Sequence, residues 1–186
     1  PDSLGIEIHQ SLMSHWNTDY LIQEYRLVNV SEENRRLSVG YYVDWSIPLK
    51  GFENVAYFDA ESGAIVAADV DYTRFAGMMC YTDQYPVKQM ITLTDDQGNL
   101  RDLQDLSDST KYHLSTIPMF ENAGFEGNGR DIATMIAHDS IDISPKLSQK
   151  VAYIVAFGHT IDELRRNLHL ADSAYDHFIT NPSLLG

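Results

Sequence analysis

The sequence predicts a mainly β protein: a large antiparallel β-sandwich with a C-terminal α-helix packed on the sheet. Three observations lead to this fold class. Apolar and polar residues alternate through much of the first half of the chain, which is the period of half-buried antiparallel strands. Aromatic residues, which favour strands, are plentiful, with 11 Tyr, 7 Phe and 2 Trp. Near the end of the chain the apolar residues change to helical spacing.

The strands are predicted from this alternation. Leu4, Ile6 and Ile8 share one face of the first strand. Residues 36–45 follow the same period, and this strand turns five side chains to one face: Leu37, Val39, Tyr41, Val43 and Trp45. Segments 54–59 and 64–69 flank a short loop that ends in glycine, so we expect them to form a β-hairpin. Segments 74–82 and 88–94 continue the series.

The end of the chain predicts a buried strand followed by a helix. Residues 150–158 form a continuous apolar run, typical of a strand buried on both faces. Thr160 and Glu163 then fit a capping box, which marks the start of a helix. The apolar stripe of that helix consists of Ile161, Leu164, Leu168, Ala171, Tyr175 and Phe178. Between 101 and 148 the pattern is less regular, and 129–140 is interpreted, like 103–116, as a short helix or helical turn.

Length and composition predict one domain spanning residues 1–186. The formal net charge of −14 argues against binding of nucleic acid or anionic lipid. No apolar run approaches the ~20 residues of a membrane-spanning helix. The single cysteine, Cys80, lies in an apolar run and is interpreted as a buried, inert thiol. The chain opens without an initiator Met or a signal peptide, and we expect it to be a piece of a longer exported protein.

Four aspartates at the ends of apolar runs are candidate calcium ligands: Asp44, Asp59, Asp69 and Asp71. Calcium takes six to eight oxygen ligands, several of them carboxylates on loops. The segment 69–71 resembles the start of such a loop, but the glycine and the closing glutamate of an EF-hand are absent. The competing interpretation is that these acids are strand-end and turn residues facing water. No cofactor other than calcium is expected.

A second candidate site is an aromatic platform on which sugar rings would stack, formed by Trp16, Trp45, Tyr42 and Tyr72. The alternative is that these rings belong to the core. The chain has no nucleophile-elbow, phosphate-loop or dinucleotide-binding motif, and its histidines are scattered, so no catalytic residue is proposed.

The chain resembles a β-rich module of secreted bacterial proteins, found C-terminal to subtilisin-like serine proteases, over roughly residues 20–80 and 130–180. The resemblance rests on "YLIQEYRLVNVSEENRRLSVGYYVDWSI", "NVAYFDAESGAIVAAD" and "DIATMIAHDSIDISPKLSQKVAYIVAFGHTIDELRRNLHLADSAYD". One departure is Ser46, where the module often carries a second acid, and this weakens the calcium interpretation. The resemblance implies an accessory β-sandwich with no shared catalytic residues.

The leading functional prediction is a non-catalytic accessory or binding domain of a secreted bacterial protein, extracellular or periplasmic and associated with a protease. Its partners would be a neighbouring domain of the parent protein, a protein substrate or a surface polysaccharide. One alternative is a carbohydrate-binding module or an epimerase-like carbohydrate-active enzyme of the large-sandwich type. Another is a structural assembly domain. An open sheet face lined by aromatic residues would favour the carbohydrate alternative, and a covered face would count against it.

Overall fold

The computed structural model describes residues 4–47, 53–81, 89–93, 107–116, 122–125 and 129–180. The strands in these ranges are β1 (Ile6–Met13), β2 (Tyr20–Asn29), β3 (Arg35–Trp45), β4 (Asn54–Asp59), β5 (Ala64–Asp69), β6 (Phe75–Tyr81), β7 (Gln89–Leu93), β8 (Ile132–Ile143) and β9 (Ser148–Gly158). The helices are α1 (Asp108–Thr116) and α2 (Ile161–Thr180).

The strands form two antiparallel sheets, which confirms the predicted fold class. The larger sheet has the order β1-β2-β9-β6-β5-β4, and the smaller has the order β3-β8-β7. The predicted hairpin joins β4 and β5, with Asp59 opposite Ala64. Gly63 closes its turn in the left-handed region (φ +70°), and its N–H donates to the Asp59 carbonyl at 2.8 Å.

The main core lies between the two sheets. Inward side chains of β8 and β9 are its centre, and two of them, Ile136 and Tyr153, are almost completely buried; Ile154 of β9 is also buried. Ile154, however, points to the other side of the larger sheet. Tyr153 of β9 stacks on Tyr41 of β3 with ring centroids 4.5 Å apart. This stacked pair joins the two sheets at their middle.

Helix α2 packs on the outer face of the larger sheet, as predicted. Leu164, Leu168 and Tyr175 are buried against β2, β6 and β9. The Glu163 N–H donates to the Thr160 hydroxyl at 3.1 Å, as in a capping box. The Glu163 carboxylate, however, accepts from the N–H of His159, one residue before the expected position.

Two polar contacts tie α2 to the sheet. The Arg165 guanidinium donates to both carboxylate oxygens of Asp59, at 2.7 and 2.9 Å. The Tyr175 hydroxyl donates to Glu24 at 2.6 Å, and Lys150 donates to the same carboxylate oxygen at 3.0 Å. A bidentate arginine–carboxylate pair fixes orientation as well as distance, so α2 has a defined register on the sheet.

The interpretation of 129–140 as helical is wrong, because most of this segment is β8. The outward side chains of β8 lie under α1, where Met135 and Ala137 cluster with Leu114. Its inward side chains fill the main core, so the strand is buried on both faces. A strand of this kind has no polar–apolar alternation, and its sequence therefore lacks the usual strand period. Helix α1 itself agrees with the prediction for 103–116, over the part that the structure describes.

One flank of the sandwich is open. Strand β1 is an edge strand of the larger sheet, and the smaller sheet does not cover its inner face. Ile8 and Leu12 therefore point into solvent, with 65% and 61% of their surface exposed. Beside them, the hydroxyl of Tyr25 and the amides of Gln10 and Gln23 are joined by hydrogen bonds.

Candidate functional site

A cleft of about 450 Å³ opens at one end of the sandwich, where β9 ends and β6 begins. Its volume is in the range of small-ligand sites. The side chains that matter for its chemistry are Asp19, Arg74, Phe75, Phe157 and His159. We call this site the end cleft. It is built by four chain segments: one precedes β2, one follows β3 and supplies Ser46 and Ile47, one leads into β6, and one joins the end of β9 to α2. Three of them carry the aromatic and charged groups.

The first segment is a tight turn that presents Trp16. The N–H and the hydroxyl of Thr18 donate to the His15 carbonyl at 3.2 and 2.6 Å. Asn17 occupies the left-handed region (φ 61°), which asparagine tolerates better than most residues. The Trp16 side chain is 82% exposed. Trp16 lies three residues before Asp19, which lines the cleft wall. A large indole that is exposed to solvent on an ordered turn is typical of a residue that contacts a ligand or a partner.

The second segment is a turn organised by Asp69. Its carboxylate accepts from the N–H of Thr73 at 2.6 Å and from that of Arg74 at 3.1 Å. Burial raises the pKa of the Asp69 carboxyl, but these hydrogen bonds outweigh burial and hold the pKa below its ordinary value. The turn places Tyr72, which is 48% exposed, with its ring 6.2 Å from that of Phe75.

The third segment joins β9 to α2. Phe157 is 50% exposed, yet its backbone is fixed on both sides. Its N–H donates to the Asp19 carbonyl at 2.8 Å, and its carbonyl accepts from the Asn167 side chain at 2.7 Å. A Cβ on Gly158 would lie 2.6 Å from the backbone nitrogen of Leu164, so the close approach of strand and helix requires glycine. The aromatic wall is therefore anchored to α2.

The end cleft combines half-exposed aromatic rings with a few polar groups. Phe75 is buried at its base and Phe157 stands at its side. Arg74 supplies donors, Asp19 supplies acceptors, and His159 supplies one ring nitrogen of each kind when neutral. Such a lining fits a ligand that has flat apolar faces and several hydroxyl groups.

The structure brings two members of the predicted platform to this end of the sandwich. Trp16 lies three residues before Asp19 and Tyr72 two residues before Arg74, so both belong to segments that continue into the cleft wall, although neither lines the cleft itself. Trp45 instead lies between the sheets, 4% exposed, with its Nε1 donating to Thr134 at 2.7 Å. Tyr42 is half-buried on the outer face of the smaller sheet, beside α1. Neither Trp45 nor Tyr42 is placed to stack a ligand with the other two.

The sequence did not indicate Phe75, Phe157 or Arg74 as site residues. Phe157 was assigned to a strand buried on both faces. It is the next-to-last residue of that strand, and unlike the residues immediately before it, it is exposed. The signal that could have found it is the sequence Phe-Gly-His just before a helix cap, where an aromatic residue has no further strand to cover it.

The four candidate calcium ligands do not converge. Asp59 and Asp69 lie at opposite ends of the β4–β5 ladder, about 16 Å apart by strand geometry. Asp59 binds Arg165, whereas Asp69 caps its own turn. Asp44 is exposed on β3 in the other sheet, and Asp71 is exposed next to Asp69. Within the described ranges no three metal-ligating side chains come together. Calcium binding by any of these aspartates stays a prediction.

A thiol–imidazole pair lies at the main core, where His138 is fully buried and Cys80 is half-buried. The Sγ of Cys80 is 2.7 Å from Nε2 of His138, and it also donates to the Ala152 carbonyl at 3.1 Å. Burial raises the pKa of the Cys80 thiol well above its ordinary value. A thiol in this state is a poor nucleophile, which agrees with the predicted inert cysteine.

In the part of the chain that the structure describes, neither helix is long and apolar enough to cross a membrane.

Comparison with known proteins gives likeness in fold without likeness in sequence. No family model matches the chain. No curated protein sequence matches it either. The resemblance to the protease-associated module therefore stays a prediction.

Solved structures do share the fold. A bacterial glucoamylase complexed with acarbose aligns with a TM-score of 0.62 over 95% of this chain, at 12% identity. Two proteins described as aldose 1-epimerases also align. The one from Klebsiella pneumoniae does so at a TM-score of 0.49 and 8% identity over 91% of this chain. The one from Escherichia coli does so at a TM-score of 0.47 and 9% identity over 83% of this chain.

This chain spans only part of these proteins. It corresponds to 24% of the glucoamylase chain, and to 50% and 60% of the Klebsiella and Escherichia chains. The likeness in fold to the glucoamylase thus concerns about a quarter of that molecule.

Proposed function

We propose that this chain is a non-catalytic, carbohydrate-binding β-sandwich domain of a longer carbohydrate-active protein, and that the sugar binds in the end cleft. The observation that carries the proposal is the end cleft itself, whose wall includes the half-exposed ring of Phe157 and the ring of Phe75. Two further exposed rings, Trp16 and Tyr72, lie on ordered turns that lead into this wall at Asp19 and at Arg74. Rings exposed on ordered turns offer apolar faces for sugar rings at little cost in conformational entropy.

The comparison with the glucoamylase supports the same class of function. Its β-sandwich portion matches nearly the whole of this chain, and that protein was solved with acarbose bound. At 12% identity the match concerns fold, so the assignment of carbohydrate binding to this chain rests on the cleft itself.

Binding is proposed rather than bond cleavage. Hydrolysis of a glycosidic bond normally uses two carboxyl groups facing each other across the sugar. Among the described residues that line the end cleft, one carboxylate is present, that of Asp19. An accessory role in a secreted bacterial protein, including one attached to a protease, is compatible with this proposal. The assembly alternative draws on a different surface, the exposed apolar row of Ile8 and Leu12 on β1.

The two tryptophans allow a direct test. Trp45 is buried and Trp16 is exposed, so the fluorescence that a neutral quencher such as acrylamide removes comes mainly from Trp16. We expect a soluble glycan from a panel that includes acarbose to protect Trp16 from acrylamide in a saturable way. Trp45 supplies an internal signal that should not change.

Variants locate the binding. Calorimetric titration of Trp16→Ala and Phe157→Ala with the same glycan should show affinity reduced about 3- to 10-fold, from the loss of an aromatic contact. Tyr112→Ala is the matched control, because Tyr112 is also exposed (64%) but lies on α1, away from the cleft. If no glycan protects Trp16, or if both cleft variants bind like the wild type, the proposal is wrong. Silence across the panel would favour the assembly alternative.

A further inference from the structure

Arg74 is unusual among the cationic residues of this acidic chain. Most lysines and arginines in the described ranges pair with a carboxylate, as seven side chains show: Arg35, Arg36, Lys111, Lys146, Lys150, Arg165 and Arg166. The guanidinium of Arg74 makes no such ion pair with any described residue, although it lines the end cleft beside Asp19. Arg74 interacts electrostatically with the Asp69 carboxylate of its own turn, but its exposed guanidinium is not held in an ion pair with any described residue, so it can bind an anionic group at the cleft wall.

The backbone of Arg74 is held in place. Its N–H donates to the Asp69 carboxylate at 3.1 Å, and its carbonyl accepts from the Asp69 N–H at 3.2 Å. The Asp69 carboxylate also accepts from the Thr73 N–H at 2.6 Å, so its own acceptors are engaged within the turn. The side chain of Arg74 therefore extends from a fixed point on the cleft wall, next to the ring of Phe75.

Two described carboxylates belong to the surroundings of Arg74: Asp69 in its own turn, which interacts with it electrostatically, and Asp19 in the cleft wall. Asp19 lines the cleft too, but the two side chains do not form an ion pair. His159 stands on the α2 side of the cleft and adds a further donor to it. The planar guanidinium presents parallel N–H donors that match a carboxylate in a bidentate arrangement, which a single ammonium group does not do.

We propose that the end cleft selects acidic oligosaccharides, in which a sugar ring bears a carboxylate that Arg74 binds while the ring lies against Phe157. This inference rests on the proposed carbohydrate binding and specifies the class of sugar. Asp19 then accepts hydrogen bonds from sugar hydroxyls, away from the carboxylate. Arg74 is a specificity-determining residue in this arrangement.

The test compares two probes that differ only in charge. Oligogalacturonate carries one carboxylate per ring, and its methyl ester has the same backbone without the charge. By calorimetric titration we expect the wild type to bind the acid at least about tenfold more tightly than the ester, because a hydrogen bond to a charged group is worth roughly 1.5–3 kcal/mol. Added NaCl should reduce the preference, since the interaction is partly exposed.

Variants of Arg74 separate its charge from the rest of the site. Arg74→Gln should lower affinity for the acid to that for the ester and leave binding of the ester unchanged. Arg74→Lys should recover part of the preference, because it restores charge without the planar fork. Arg26→Gln is the matched control: Arg26 is exposed on β2 and, like Arg74, forms no ion pair with the described residues, but it lies outside the cleft.

The outcomes distinguish this inference from the proposed function. If the ester or other neutral glycans bind and the acid has no advantage, the selection of acidic sugars is wrong, while carbohydrate binding stands. If a sulfated oligosaccharide binds more tightly than the uronate, the assignment of a carboxylate is wrong. If neither neutral nor acidic glycans bind, both proposals fail.

Discussion

Replacement of Leu168 by alanine should destabilise the protein substantially, because α2 is held on the sheet by buried apolar side chains. Leu168 is 1% exposed and belongs to the cluster between α2 and the larger sheet. Loss of its burial is worth about 1.5–3 kcal/mol, and the cavity left behind extends the expected range to about 2–5 kcal/mol. For a chain of 150–250 residues this corresponds to a fall in Tm of about 5–15 °C.

A leucine on the same helix provides the control. Leu170 lies two residues further along α2 and is 48% exposed, so Leu170→Ala removes little buried surface and slightly favours the helix. Thermal and urea unfolding of both variants, followed by circular dichroism, measures the difference directly. If the two variants unfold at the same temperature and denaturant concentration, the packing of α2 on the sheet contributes nothing to stability and the reasoning is refuted.

Two further predictions concern titratable groups. The hydrogen bonds from Arg165, together with those from Ser62, outweigh burial and lower the pKa of Asp59 from 3.8 to about 2. Because the pKa of Asp59 is lower in the folded state than in the unfolded state, ionised Asp59 stabilises the fold. This stabilisation is complete above pH ~5 and is lost as the pH falls towards 2. It amounts to about 1–2 kcal/mol after allowance for solvent screening. The free energy of unfolding, measured with urea, should therefore fall less steeply between pH 5 and 3 in Asp59→Asn than in the wild type. Asp162→Asn, which removes an exposed partner of Arg165, should keep the wild-type slope. Equal slopes for the wild type and Asp59→Asn would contradict the linkage. Burial raises the pKa of the half-buried Cys80 thiol, so at pH 8 it should react with a thiol reagent more slowly in native buffer than in urea-unfolded protein, and equal rates would contradict this.

The sequence was informative where local patterns coincide with structure. The β4–β5 hairpin and α2 were predicted because a turn glycine, a capping pair and an apolar stripe are all local signals. Strand β8 was missed because burial on both faces removes the alternation by which strands are recognised. The pattern also could not tell which faces are covered: Trp45 lies in the core, and Tyr42 lies beside α1.

The end cleft could be predicted only in part. Trp16 and Tyr72 were identified as aromatic candidates, but nothing local relates them to Phe157. Their segments lie at one end of the larger sheet because β9 pairs with β2 on one side and with β6 on the other, which places residues 72 and 157, 85 positions apart, at the same end. The proximity of segments so far apart in the sequence depends on the order of strands in the sheet. The local spacing of apolar and polar residues does not predict that order.

The position of β9 in the middle of the larger sheet also governs how the protein can be made. Residues 148–158 separate β1 and β2 from β6, β5 and β4, so the first two strands have no neighbour on that side until the C-terminal part has been synthesised. On the ribosome, the emerging N-terminal strands would therefore expose unpaired edges and apolar faces for most of translation. Pairing over such long separations is slow, and the nascent chain should depend on holding chaperones until β9 and α2 close the sheet.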